Sequence, residues 1–234
     1  MRSTQLKERT QLKLVKKSVR FMSSNLSQTV SSETVSSETV SSETVSHKAL
    51  VMALKEWSVA VDALAGGETI LLLRKGGIKE ENGKFSAEAD SAVLLPTFEH
   101  QKPELLKPAY REAARSVESG WHPASITLKA WADITDIFLT DDAEKVAALS
   151  EFHIWQANLA QARLKWKPKQ PLYVLALRVY RLPAPVTIRW DEAYGGCRSW
   201  ATLKVSVETA GSEAAIATEA YRAQVDAIAQ TLNP

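Results

Sequence analysis

The sequence predicts an α+β fold: a small mixed or antiparallel sheet, open or barrel-like, flanked by helices and preceded by a disordered N-terminal tail. Three observations lead there. Apolar runs of strand length mix with helix-period segments without a strict βαβ rhythm. Asn82-Gly83, set between two short runs, is a strong hairpin signal. Leu172–Leu182 is apolar at nearly every position, as a strand buried on both faces must be.

The expected organisation is a low-complexity tail over 1–46, a single domain over 47–207, and a C-terminal helix over 208–234 packed on or extending from it. Residues 1–20 carry seven Lys/Arg and one Glu, so the formal charge of +2 hides a tail of +6 and a remainder of −4. Residues 1–21 fit a short basic amphipathic helix, with Leu12, Val15 and Val19 on one side. Ser-Ser-Glu-Thr-Val then repeats at 31–35, 36–40 and 41–45. A five-residue period fits neither helix nor strand, and such a segment cannot bury enough apolar surface to offset its ordering entropy. Met22 and Met52 are alternative starts to Met1.

Leu50, Leu54, Trp57, Val61 and Leu64 follow helical spacing and predict a helix over Ala49–Leu64, stopped by Gly66-Gly67. Thr69–Arg74 is an apolar strand. Lys84-Phe85 begins the return of the hairpin. Ala92–Leu95 is a further short strand. Leu105, Leu106, Tyr110 and Val117 suggest a helix over 103–119. Alternation at Ile126, Leu128 and Ala130 predicts a strand over Ile126–Ile134. Asp141-Asp142 suits the start of a helix over 143–161, because carboxylates there accept from free N–H groups and face the positive helix end. Leu172–Leu182 and Ala201–Val207 are strands. Gly211 separates the last of them from an alanine-rich helix over 212–231 that uses Ile216, Ala220, Val225, Ile228 and Leu232.

Composition narrows the function classes. The hydrophobic fraction is 45% and the charged fraction 24%, ordinary for a globular chain. No apolar run approaches the roughly 20 residues that span a bilayer, and the basic N-terminus lacks the apolar core of a secretory signal. Cys197 is the single cysteine, which excludes an internal disulfide. A reducing cytoplasm is the expected location. The histidines show no ligand spacing, so neither metal nor cofactor is expected.

Two glycine turns and one basic segment carry the candidate site. Arg74-Lys75-Gly76-Gly77 ends an apolar strand with two cations and two unobstructed backbones, as an anion site would. It is neither a P-loop nor a dinucleotide fingerprint, because the spacing and the following helix are absent. Gly195-Gly196-Cys197-Arg198-Ser199-Trp200 repeats the pairing of glycines and a cation. Residues 152–190 contain no acid and seven Lys/Arg, among them Arg163, Lys165 and Lys167, interleaved with rings such as Trp155 and Trp166. Cations for phosphates and rings for bases are what a nucleic-acid surface needs. Glu99, His100 and Gln101 follow a strand and suit hydrogen bonding to a ligand, while His153 lies beside Trp155.

The phrases ALKEWSVAVDAL, ILLLRKGGI, LLPTFEHQKPELLKP, HIW, YVLALRVYRL and YGGCRSW, in that order, resemble the bacterial, notably cyanobacterial, domain-of-unknown-function family numbered 1802. The resemblance covers roughly residues 49–203. It implies no activity. It implies a link to DNA restriction or processing only by association with endonuclease-like modules.

The leading expectation is a module that binds nucleic acid or another phosphate-bearing ligand; the sequence leans away from catalysis without deciding it. Arg74, Lys75, Arg163, Lys165, Lys167 and Arg198 would meet phosphates, and Trp155, Trp166 or Trp200 would stack on bases. The first alternative is an enzyme acting on a small anionic substrate in a pocket of Arg74, His100, His153 and Cys197. The second is a structural adaptor whose basic segment packs on Asp133, Asp136, Asp141 and Asp142.

Overall fold

The computed structural model describes residues 47–81, 84–165 and 170–233. The expectations for the tail over 1–46, for the Asn82-Gly83 turn itself, and for Trp166 and Lys167 lie outside the described residues. The chain opens with β1 (Ala49–Trp57) and α1 (Ser58–Gly66), followed by β2 (Leu71–Arg74). The hairpin strands β3 (Ile78–Glu81) and β4 (Lys84–Ala87) lead to β5 (Ser91–Thr97). Two single 3-10 turns, Pro103–Leu105 and Pro108–Tyr110, precede β6 (Ser125–Thr140). Then come α2 (Ala143–Ala148), α3 (Ala157–Lys165), β7 (Leu172–Arg189), β8 (Trp200–Glu208), β9 (Glu213–Ala214) and α4 (Thr218–Leu232).

The main sheet runs β2-β7-β6-β5-β1-β8, with β9 added alongside β7. The β1/β5 pair is parallel and the other pairs are antiparallel. The fold is therefore α+β with a mixed sheet, as the sequence predicts, but the barrel is not closed: β2 and β8 end the order without pairing each other. β6 and β7 are long because they pair along nearly their whole length, from Ser125 opposite Arg189 to Thr140 opposite Leu172, across two register shifts. Such shifts bend a pair and let one ribbon serve two parts of the core.

One core cluster gathers α1, α4, the 3-10 turns and the end of the β6/β7 ribbon around Leu106, Leu149, Trp155, Val174 and Ile228. A second fills the sheet between β1, β5 and β8 with Val93, Trp131, Tyr180 and Leu203. A third joins Leu54, Leu64, Leu72, Leu94 and Leu175. Each fully buried side chain of this kind is worth about 1.5–3 kcal/mol relative to exposure.

Four element expectations are corrected. Ala49–Leu64 is not one helix: its first nine residues form β1, held on both sides by β5 and β8, and only Ser58 onward is helical. Apolar residues were dense enough there to satisfy a helical stripe and a doubly buried strand alike. The 103–119 helix is replaced by the two short turns, because Pro103 and Pro108 each bar a helix through the residue before them. The 143–161 helix is interrupted. Asp142 caps it as expected, accepting from the N–H groups of Glu144 and Lys145. Past Phe152 the chain becomes extended, so that Trp155 bridges to Leu106 and buries its ring. The last helix begins at Thr218 rather than 212, since Glu213 and Ala214 pair with β7.

Gly67 ends α1 in the left-handed region at φ +75, and a Cβ there would meet the Ala215 oxygen at 2.8 Å. No helix of the described residues is long and apolar enough to cross a membrane.

Candidate functional site

The parallel pairing of β1 with β5 puts their carboxyl ends side by side, with Trp57 opposite Thr97. β8 starts at the same edge, since Trp200 lies opposite Leu54. β2 is drawn in by a buried ion pair: Arg74 Nη2 donates to Glu56 Oε2 at 2.9 Å and to the Lys55 carbonyl. Around these strand ends lies an open cleft of about 1200 Å³.

Its floor is polar. Lys55, 7% exposed, extends from β1 and donates Nζ–H to the carbonyls of Gly195 at 2.9 Å and Gly196 at 2.7 Å. Burial lowers the Lys55 pKa, and the nearby Arg198 charge lowers it further against smaller opposing effects of Cys197 and Glu99. Glu56 also accepts from the Trp57 N–H at 2.9 Å. Arg74, 6% exposed, retains an Nε without a hydrogen-bond partner among the described residues.

Gly77 joins the two glycine turns. It sits at φ +77, and a Cβ there would stand 2.6 Å from the Ser199 Cβ and 3.0 Å from Trp200 Nε1. The close approach lets Trp200 Nε1–H donate to the Gly77 carbonyl at 2.8 Å. The Lys55 N–H donates to the Ser199 carbonyl, also at 2.9 Å, so Lys55 alone ties the 195–200 loop at three points.

Rings make up the upper walls. Phe98 meets Trp121 edge-on with centroids 5.9 Å apart, and the Arg115 guanidinium lies 4.9 Å over the Trp121 ring. His122 stacks on Trp190 at 3.5 Å and 5°. Glu99 Oε1 accepts from the Gly120 N–H at 2.6 Å and thereby fixes the 119–123 loop beside the turn after β5. His100, in that turn, has φ 62, an uncommon conformation for a residue with a side chain.

Of the residues singled out in the sequence, Arg74, Lys75, Gly76 and Gly77 line the cleft, as do Glu99 and His100. Arg163, Cys197, Arg198 and Trp200 line it as well. Their roles differ from the expected cradle. Lys75 turns inward to the Gln170 carbonyl, and burial lowers its pKa. Arg163 donates to the Leu73 carbonyl at 2.6 Å. Arg198 is exposed on its loop.

Gln101, His153, Trp155 and Lys165 do not line the cleft. Gln101 is buried and accepts from the Ser58 hydroxyl and the Val59 N–H. Trp155 packs edge-on against Trp57 within the core. His153 is 3% exposed, and its Nδ1 accepts from the Trp155 N–H at 3.2 Å. Burial and the Lys107 charge bring its pKa down to about 4. Lys165 is exposed at the end of α3. The four-residue pocket of Arg74, His100, His153 and Cys197 therefore does not assemble.

Lys55, Trp57, Trp121, His122 and Trp190 also line the cleft, outside the set of candidate site residues read from the sequence. For Lys55 a signal existed: a Lys-Glu pair inside an apolar run is unremarkable on a helix but must be buried on a central strand.

Among solved structures, the chain is similar to ASCH from Zymomonas mobilis at 12% identity, covering 65% of this chain and 87% of that one, with a TM-score of 0.39. A tyrosine-to-phenylalanine variant of that protein gives 12% identity, 65% and 89% coverage, and a TM-score of 0.37. A serine-to-alanine variant gives 11%, 75% and 94%, and 0.35. No curated protein matches the chain. The profile described as a domain of unknown function, DUF1802, matches residues 53–227, and this chain belongs to that family.

Proposed function

We propose that the cleft binds nucleic acid as a single strand, meeting phosphate with Lys55 and Arg198 and bases with Trp121 and Trp190. The observation that carries this reading is the conjunction in one cleft of two cations and several ring surfaces. Among the described residues, neither cation has a carboxylate within ion-pair distance. A buried ammonium held only by carbonyls favours an anion, and half-buried rings offer stacking faces to bases of any sequence. His100 and Glu99 stand where they can read polar edges.

Anisotropy titration with a labelled single strand tests it. Neutralising two phosphate charges predicts a logarithmic salt slope near −1.4, about a sevenfold loss between roughly 50 and 200 mM salt. Absence of binding, or binding indifferent to salt, overturns the proposal. DNA and RNA probes of one sequence would separate a role in DNA restriction or processing from one on RNA.

A further inference from the structure

We propose that the cleft recognises the end of a strand, with a terminal phosphate monoester seated between Lys55 and Arg198. The proposal rests on the nucleic-acid reading above and names the part of the ligand that the cleft floor selects.

Lys55 is more than nine-tenths buried and lines the cleft. An ammonium has three N–H donors. Two are spent on the Gly195 and Gly196 carbonyls, which leaves one for a ligand oxygen. Arg198, carried by the same glycine turn, lies close enough for its charge to disfavour protonation of Lys55. Both cations line one cleft; of its carboxylates, Glu56 is paired with Arg74 and Glu99 accepts from the Gly120 N–H with one oxygen.

The charge of the ligand decides between an internal and a terminal phosphate. A diester brings one negative charge to this point. A monoester carries about −1.5 to −2 near neutral pH and three acceptor oxygens. Two cations in one cleft are better satisfied by the second. The volume agrees, since about 1200 Å³ lies just above the ~300–1,000 Å³ of small-ligand pockets and suits a terminal nucleotide or two. The rings then hold the base of that last nucleotide.

Anisotropy titrations with one oligonucleotide carrying a 5′-phosphate, a 3′-phosphate or neither test this on the full chain. One phosphorylated end is expected to bind about tenfold tighter than the hydroxyl form, the value of one charge-assisted hydrogen bond. Which end does so identifies the polarity. Arg198→Ala, at an exposed position, removes the preference. Lys55→Met does the same, with circular dichroism verifying its fold. Equal affinity for all three probes overturns end recognition while leaving the nucleic-acid reading intact. A preference that survives Arg198→Ala overturns the assignment to this cation pair. No binding of any probe overturns both readings.

Discussion

Replacing His153 with asparagine should remove an acid-sensitive component of stability. The imidazole is 3% exposed, and its Nδ1 accepts from the Trp155 N–H at 3.2 Å, while its Nε2 has no partner among the described residues. Burial first, then the Lys107 charge, lowers its pKa from 6.5 to about 4. The sign follows from linkage. Above the unfolded value both states are neutral and the group has no pH effect. Below it the unfolded chain binds a proton that the native protein refuses until its own pKa is reached, so stability falls with pH across that window. A fall from 6.5 to about 4 corresponds to about 3 kcal/mol at most, most of it lost by about pH 4.5. Asparagine keeps an acceptor near Nδ1 and cannot titrate. Urea unfolding of both proteins at about pH 7 and about pH 4.5 reads the difference. The wild type should lose roughly 2–3 kcal/mol more than His153→Asn on acidification. Equal losses would show that His153 protonates as freely in the native protein as in the unfolded chain.

Other consequences can be checked alongside. Arg74→Met leaves Glu56 charged and buried and should cost about 3–5 kcal/mol in chemical denaturation, whereas adding Glu56→Leu should recover much of it. Gly77→Ala forces a left-handed alanine against Ser199 and Trp200; the backbone alone costs about 1–2 kcal/mol, and a loss of melting temperature accompanied by changed Trp200 fluorescence would report the displaced loop. Asp142→Ala removes two capping hydrogen bonds and should cost about 1 kcal/mol. Anion affinity should fall as pH rises through the Lys55 pKa, which lies below 10.5; burial lowers it most and Arg198 further, while Cys197 and Glu99 oppose. Lys55→Arg should flatten that profile, and an unchanged profile would exclude Lys55 from the contact.

What the sequence reveals depends on how far each element's environment is local. β2 and the first half of β7 are legible because doubly buried strands require long apolar runs, each broken here by a single arginine, Arg74 or Arg178. The Asp142 cap is legible because capping is a property of three consecutive residues. β1 is not: Leu50, Leu54 and Trp57 satisfy two periodicities, and only pairing with β5 and β8 decides between them. That misreading also hid Lys55, which a helix would have turned to solvent. The two glycine turns stood out individually, yet their contact at Gly77 and Ser199 arises from the sheet order, which no local pattern encodes. His153 and Trp155 look polar and surface-like beside a basic segment. They are core residues because Pro103 and Pro108 break the preceding helix and let Leu106 bridge to Trp155.

Ultraviolet crosslinking of a single-stranded oligonucleotide to the full chain, with the attachment sites mapped by mass spectrometry, tests the central claim most directly. Crosslinks on Trp121, Trp190 and the 195–200 loop are predicted, and they should weaken with Arg198→Ala. Crosslinks confined to residues outside the cleft, or none at concentrations where anisotropy reports binding, would contradict the assignment of the ligand to this cleft.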